Sequence, residues 1–229
     1  MEYLINKAGR QRMLAERMVK SYVQIAAEVT PKAAASALAD AIGTFERQLG
    51  ELKACAPEGD RRAALAETER TWDRFRTIVM LPCSRERVHE VRAVGERLVQ
   101  AAERTTAAFL RHATSAAARL VNLAGRQRML SQRIAKDHLL IAERLGNGGV
   151  RQELTFACVD FGRALADLRG SPINSTQLRS ELSEVANGWR TLLELVRADS
   201  PAHDQVLASA EDILSRMEHV TALYQSLGK

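Results

Sequence analysis

Two glycine–arginine pairs are the residues of this sequence whose types and spacing best suit chemistry. Each pair lies in a copy of the motif Asn-x-Ala-Gly-Arg-Gln-Arg-Met-Leu, found at Asn6–Leu14 and again at Asn122–Leu130. In both copies an arginine follows the glycine by three residues, which is about one turn of a helix. The two residues of each pair therefore lie on one side of that helix. The four residues are Gly9, Arg12, Gly125 and Arg128.

A small planar oxyanion is the ligand that such a pair fits. The guanidinium group donates two parallel hydrogen bonds to adjacent oxygens and keeps its charge at any working pH. A glycine inside a helix costs about 1 kcal/mol relative to alanine, and close approach of another helix or a ligand is the usual reason for it. Two such arginines could clamp one anion, which would then favour the state in which both approach.

The neighbours of these pairs are weaker candidates for the same site. Arg10 and Arg126 precede the main arginines by two residues, and Met13 and Met129 follow them on the same helix face. An alternative stays open, because Gln, Arg, Met and Leu are all good helix formers. The duplicated Arg-x-Arg is then a solvated face or a salt-bridge partner for another helix.

The elements that position the motif are predicted to be helices. Only 5 Pro and 13 Gly interrupt the chain, and aromatic residues make up 4% of it, which favours long helices packed through aliphatic side chains. The halves match at an offset of 116 residues, and 13 of 23 positions are identical between Leu4–Ala26 and Leu120–Ala142, which indicates a duplication. We predict an all-α fold of two tandem up-down four-helix bundles, repeat 1 at 1–113 and repeat 2 at 114–229.

Turn-forming residues mark the predicted helix ends. Thr30-Pro31 is typical of an N-cap followed by proline at the first helical position. The other predicted breaks, which leave four helix-length segments in each half, are 56–60, 81–84, 146–149, 170–172 and 199–201. Four aromatic residues are predicted to lie in the bundle cores: Phe45, Trp72, Phe161 and Trp189.

The junction between the halves has two interpretations. Residues 112–119 read His-Ala-Thr-Ser-Ala-Ala-Ala-Arg, and alanine has the highest helix propensity. We therefore favour one long helix that continues from the fourth helix of repeat 1 into the first helix of repeat 2. Alternatively, Thr114 or Ser115 caps a new helix.

Net charge, cysteine spacing and the length of apolar runs indicate the partners and the cell compartment to expect. The net charge of +5 comes from 33 basic and 28 acidic residues, which favours a mixed solvated surface over a nucleic-acid partner. The three cysteines are not closely paired, so we expect a reducing compartment. No apolar run approaches the length of a membrane segment and no signal peptide is visible, so we expect a cytoplasmic protein.

Catalytic and metal-binding patterns are weak. The single Glu86-x-x-His89 falls short of the two such pairs that a di-metal bundle needs. No nucleophile elbow, triad or glycine-rich phosphate loop is present. We expect no enzymatic activity, no metal and no cofactor.

The longer form of the motif resembles known sensor sequences. Asn-x-Ala-Gly-Arg-Gln-Arg-Met-Leu-Ser-Gln-Arg, at Asn122–Arg133, is similar to the opening of the PilJ-type N-terminal domain of type IV pili chemotaxis transducers. It also resembles the P-box of the NarX/NarQ family of nitrate/nitrite sensor kinases, Asn-x-Ala-Gly-x-x-Arg-Met-x-Ser-x-Arg. The first copy, Asn6–Arg17, departs from this pattern at Ala15 and Glu16, where serine and a neutral residue are usual.

The resemblance implies a site and a role. In the sensor kinases a four-helix bundle dimerises and nitrate lies between the first helices, bound by the arginine three residues after the motif glycine. Carried over, Arg12 and Arg128 bind nitrate or nitrite, with the backbone around Gly9 and Gly125 as supporting donors. The implied protein is a non-enzymatic sensor that signals by helix displacement. The alternative is a helical interaction scaffold that has lost the ligand.

The resemblance does not determine which protein receives the signal or whether one chain or two form the site. The family normally attaches this domain to transmembrane helices and a signalling output, and the sequence shows neither, so we expect it to report to a partner protein. Bundles lying side by side would let Arg12 and Arg128 share one anion within a monomer. Bundles stacked end to end would need a second chain, as in a homodimer.

Overall fold

The structure, a computed structural model, describes residues 1–56, 59–198 and 203–228. Helix is the only regular secondary structure within these ranges, which confirms the predicted all-α fold. None of the helices in the described part is both long enough and apolar enough to cross a membrane. The helices are α1 (Glu2–Ala26), α2 (Pro31–Cys55), α3 (Asp60–Val79), α4 (Val88–Leu110), α5 (Ala116–Ala142), α6 (Val150–Arg169), α7 (Thr176–Arg197) and α8 (His203–Ser226).

The first compact unit, Met1–Thr114, is built from α1 to α4. α1 packs along both α2 and α4, α3 packs along α4, and α2 meets α3 over a shorter stretch. The four helices thus close a ring around one core. α1 is the most enclosed helix of the unit, and its buried positions include the whole motif face, Ile5, Gly9, Arg12, Met13, Glu16 and Lys20.

The second compact unit, Ser115–Lys229, repeats this arrangement with α5 to α8. α5 packs along α6 and α8, α7 packs along α8, and α6 meets α7 over a shorter stretch. α5 is again the enclosed helix, because it contacts two neighbours along its length. Its motif face is buried as well: Val121, Gly125, Arg128, Met129, Gln132 and Lys136.

The predicted continuous helix across residues 112–119 is wrong. α4 ends at Leu110 and α5 begins at Ala116, after Ser115 caps it by accepting a hydrogen bond from the Ala118 amide at 3.0 Å. At the end of α4, the Arg111 and His112 side chains are both held by Asp60. Hydrogen bonds from Arg111 and His112 also lower the pKa of the Asp60 carboxyl. The Ser115 cap and the contacts with Asp60 outweigh the helix propensity of the alanines, because helix propensity is a weak preference.

The other predicted helix ends agree with the structure where it describes them. Pro31 is the first residue of α2 and Thr30 holds the N-cap position. The Thr30 side chain makes no capping bond, however, and instead accepts a hydrogen bond from Gln24. The breaks at 81–84, 146–149 and 170–172 all separate helices. The break at 199–201 lies outside the described residues, as do positions 57 and 58 of the break at 56–60.

The predicted aromatic core residues form one stacked pair in each unit. Phe45 on α2 stacks on Trp72 of α3 with ring centroids 4.5 Å apart. Phe161 on α6 stacks on Trp189 of α7 at 4.3 Å. Both phenylalanines and Trp72 are buried, and Trp189 is partly exposed. The pairs join the second and third helices of each unit, where the backbones are in least contact.

A buried polar network in the second unit was not predicted from the sequence. The Tyr224 hydroxyl on α8 donates to Asn174 Oδ1 at 2.7 Å, and Asn174 Nδ2 donates to the Leu168 carbonyl at the end of α6, also at 2.7 Å. Burial raises the pKa of Tyr224 to about 12. The network fixes the loop between α6 and α7 to α8, because Asn174 lies in that loop and is 4% exposed.

Tyr224→Phe is expected to destabilise the second unit by about 1–2 kcal/mol, since it leaves the Asn174 oxygen without its donor inside the core. Tyr3→Phe is the matched control, and its effect is expected to stay within about 0.5 kcal/mol because Tyr3 is exposed. Urea unfolding followed by the fluorescence of Trp189, in a Trp72→Phe background, measures Tyr224→Phe. Because Tyr3 lies in the first unit, Trp72 fluorescence in a Trp189→Phe background measures the control. Equal effects for the two tyrosines would show that the network contributes nothing.

Candidate anion-binding sites

Arg12 is a fully buried cation at the centre of the first unit. Its side chain is 0% exposed. Nη1 donates to Glu103 Oε2 of α4 at 2.6 Å, and Nε donates to the Gly9 carbonyl of its own helix at 3.3 Å. The Glu103 side chain is 45% exposed, so this ion pair runs from the core towards solvent. The alternative interpretation of this arginine, a salt-bridge partner for another helix, is what the structure shows in the first unit.

Gly9 is the residue that gives the Arg12 side chain its space. A Cβ placed on Gly9 would lie 3.0 Å from Arg12 Nη2. That distance is shorter than ordinary van der Waals contact, so the guanidinium group would have to shift slightly to accommodate an alanine. The sequence predicted close approach of another helix or a ligand to this glycine, whereas the contact that the structure shows is with the arginine of its own helix. In the first motif copy, Gly9 therefore leaves room for the guanidinium group of Arg12.

Two more charged residues are buried on the same face of α1. Glu16 is 1% exposed and Lys20 is 3% exposed, and they follow Arg12 at successive four-residue steps. Residues four apart on a helix are neighbours on its surface. The face therefore alternates positive, negative and positive along one line. Opposite charges so placed offset much of the cost of burying each one.

The second unit carries the same face with one charge removed. Arg128 is 2% exposed and Lys136 is 3% exposed, but Gln132 stands where the first unit has Glu16. Gln132 is 0% exposed, and neither its amide nitrogen nor its amide oxygen has a hydrogen-bond partner among the described residues. Buried amides are nearly always bonded in proteins. Gln132 is thus a donor and an acceptor held in the core beside the motif arginine.

Both units have a glutamate at the same position of their last helix, which is α4 in the first unit and α8 in the second. The offset of 115 residues that aligns α8 with α4 places Glu218 at the position of Glu103. Both are half-buried. Sequence reasoning did not single out either glutamate, although their shared position in the repeat was a signal that could have found them. The difference in charge on the motif faces is therefore the exchange of Glu16 for Gln132.

The weaker candidates occupy different places. Met13 and Met129 are buried core residues at 1% and 5% exposure. Arg126 lies on the outer side of α5 and pairs with Asp160 of α6 at 3.0 Å. Arg10 lies with other charged residues around a surface cavity of about 240 Å³ between α1 and α2, lined by Tyr3, Asn6, Lys7, Arg10, Arg47, Gln48 and Glu51. Arg10 and Arg126 are thus separated from the buried face of Arg12 and Arg128.

No site for a metal ion is formed by His, Cys, Asp or Glu clusters in the part of the chain that the structure describes. Cys158 lies among apolar and basic residues of α6 and α7, and burial raises the pKa of its thiol to about 11. A thiol with so high a pKa is protonated at neutral pH and a poor nucleophile.

Two four-helix units, each with a buried Gly-x-x-Arg on its most enclosed helix, place this chain in the class of duplicated helical-bundle proteins. A family model described as type IV pili methyl-accepting chemotaxis transducer N-term matches residues 3–79 and 109–220. These segments span more than half of the chain, which therefore belongs to that family. Membership indicates a role in sensing or signalling. No curated protein and no solved structure matches the chain.

Proposed function

We propose that this protein is a sensory module that binds nitrate or nitrite through its motif arginines and signals by moving helices. The observation that supports it is a permanently charged guanidinium buried at the same motif position in both units, Arg12 and Arg128. A buried charge is costly unless an opposite charge or hydrogen-bond acceptors face it. A planar oxyanion supplies both. We propose further that residues 1–113 and 114–229 are two copies of the family's sensory domain and that neither copy is an enzyme.

The coupling between ligand and helix movement follows from the ion pair at Arg12. Glu103 belongs to α4, so its bond to Arg12 ties α4 to α1. An oxyanion that replaced this carboxylate would take over its hydrogen bonds and release α4. Glu103 is 45% exposed and can regain water when it is displaced. Ligand binding thereby favours a state with a changed contact between the first and last helices of the bundle. A signalling protein that reads this contact is the proposed partner.

Isothermal titration calorimetry with nitrate and nitrite, against chloride at equal ionic strength, tests the proposal. The double variant Arg12→Lys plus Arg128→Lys is expected to lose affinity about tenfold or more, because lysine keeps the charge but loses the planar fork. Arg126→Lys is the matched control and should bind like the wild type, since Arg126 pairs with Asp160 on the outer side of α5. Wild-type protein that binds neither anion, or a double variant that binds equally well, contradicts the proposal.

A helical interaction scaffold without a ligand is the second candidate. One observation favours it: in the first unit Arg12 already bonds to Glu103 and to the Gly9 carbonyl. An arginine in this state ties two helices together and needs no ligand. Absence of anion binding in the titration, together with lower stability of Arg12→Lys, is the result expected for a scaffold.

A further inference from the structure

We infer that the two motif copies have diverged: the anion binds more tightly in the second unit, between Arg128 and the amide of Gln132, because the first unit has the buried carboxylate of Glu16 at the position of that amide. This inference rests on the proposed function of the motif arginines. Beyond that function, it specifies the motif copy that binds the anion more tightly and a further residue, Gln132, that donates a hydrogen bond to it.

In the first copy, two glutamate carboxylates already lie close to the motif arginine. Glu103 faces Arg12 at 2.6 Å, and Glu16 lies one helical turn after Arg12 with 1% exposure. An incoming anion would have to displace the first carboxylate and would still face the second in a buried environment. Like charges at such range repel strongly when water is excluded. The first copy is therefore expected to bind an anion more weakly than the second copy does.

The second copy has a neutral glutamine, Gln132, where the first copy has the carboxylate of Glu16. Gln132 lies one turn after Arg128, where side chains are neighbours on the helix surface. It is fully buried, and both of its amide atoms have no partner among the described residues. An amide kept in this state costs free energy unless a ligand bonds to it. Its Nε2 is a neutral donor, so it can bond to an oxyanion without the repulsion that a glutamate brings.

The remaining charges around α5 do not restore the lost carboxylate. Lys136, one turn after Gln132, is close to Asp137 at 3.4 Å. Asp137 is nine residues after Arg128, which places it two and a half turns away on the opposite side of the helix. Glu218 matches Glu103 in the repeat, so each unit has this carboxylate. Asp137 takes the place of Ser21, but on the side of the helix away from Arg128. On the face of the motif arginine itself, the charge differs only at the residue one turn later, Glu16 or Gln132.

Calorimetric titration of the full chain with nitrate and nitrite separates the two copies. Arg128→Lys and Gln132→Glu are each expected to lower the affinity about tenfold or more. Arg12→Lys is the matched change in the first unit and is expected to lower the affinity less than Arg128→Lys does. Glu16→Gln removes a first-unit carboxylate, and its affinity should stay within about twofold of wild type. Weaker binding on Arg12→Lys than on Arg128→Lys, or wild-type affinity in Gln132→Glu, overturns the inference and leaves the proposed function intact. Wild-type protein that binds neither anion rejects both.

The stability of Gln132→Leu gives a readout that needs no ligand. Leucine removes the buried amide at similar size, so this variant is expected to unfold at a higher temperature than wild type in buffer free of nitrate and nitrite. Its anion affinity should nonetheless fall, because the donor is gone. A lower unfolding temperature would mean that the amide is bonded within the protein, and this result overturns the inference.

Discussion

Glu103→Gln is expected to destabilise the first unit by about 1.5–3 kcal/mol, which is the typical contribution of a hydrogen bond to a charged group. The reason is the burial of its partner. Arg12 is 0% exposed and cannot turn to water when the carboxylate is removed, so its charge stays in the core with less compensation. Glutamine keeps the size of the side chain and removes only its charge.

Glu67→Gln is the control for this prediction. Glu67 accepts two hydrogen bonds from Arg104, at 2.9 and 2.7 Å, so its geometry is at least as good as that of Glu103. Both of these side chains are exposed, however, and exposed ion pairs contribute between 0 and about 1 kcal/mol. Urea unfolding monitored by Trp72 in a Trp189→Phe background compares the two variants. An equal loss of stability would show that burial of Arg12 does not set the strength of its ion pair.

Gly95→Ala is expected to destabilise the first unit by about 1–3 kcal/mol through overpacking. A Cβ on Gly95 of α4 would lie 2.4 Å from Val19 Cγ2 on α1 and 3.3 Å from Phe75 Cε2 on α3. Val19 and Phe75 are both buried in the core. The gain of about 1 kcal/mol in helix propensity from glycine to alanine does not offset an overlap of this size. The glycine therefore sets how closely α1 and α4 approach.

The second unit suggests how to rescue this variant. At the repeat offsets, alanine stands at both equivalent positions, Ala135 for Val19 and Ala210 for Gly95. The valine–glycine pair holds three side-chain carbons and the alanine–alanine pair holds two, so the two alanines fit in the space that the first pair fills. Adding Val19→Ala to Gly95→Ala is therefore expected to recover much of the lost stability, with a coupling of about 0.5–3 kcal/mol between the sites.

A double-mutant cycle in urea, with Trp72 as the reporter, measures this coupling. Val19→Ala alone leaves a cavity and should also destabilise. Recovery is expected to be incomplete, because Phe75 still lies 3.3 Å from the new Cβ and has to move slightly. Additive effects of the two substitutions would mean that the two side chains do not compete for one space.

Local patterns of the sequence determined much of the architecture. The repeated motif, the clusters of proline and glycine, and the paired tryptophans predicted eight helices in two similar halves, and the described residues agree. Each of these features affects only the few residues around it. Proline at the first position of α2 favours the start of a helix, and an apolar stripe decides which face of a helix is buried. They are readable from the sequence because their effects are short in range.

Tertiary structure decided the rest. Whether helices α4 and α5 are continuous depended on Asp60, which binds Arg111 and His112 from about fifty residues away in the chain. The state of the motif arginine depended on Glu103, which lies 91 residues after Arg12. Neither partner is fixed by local propensity, because each contact forms only when separate helices pack together. The sequence by itself determined where the buried arginines are, and the packing of the last helix of the bundle decided what Arg12 binds.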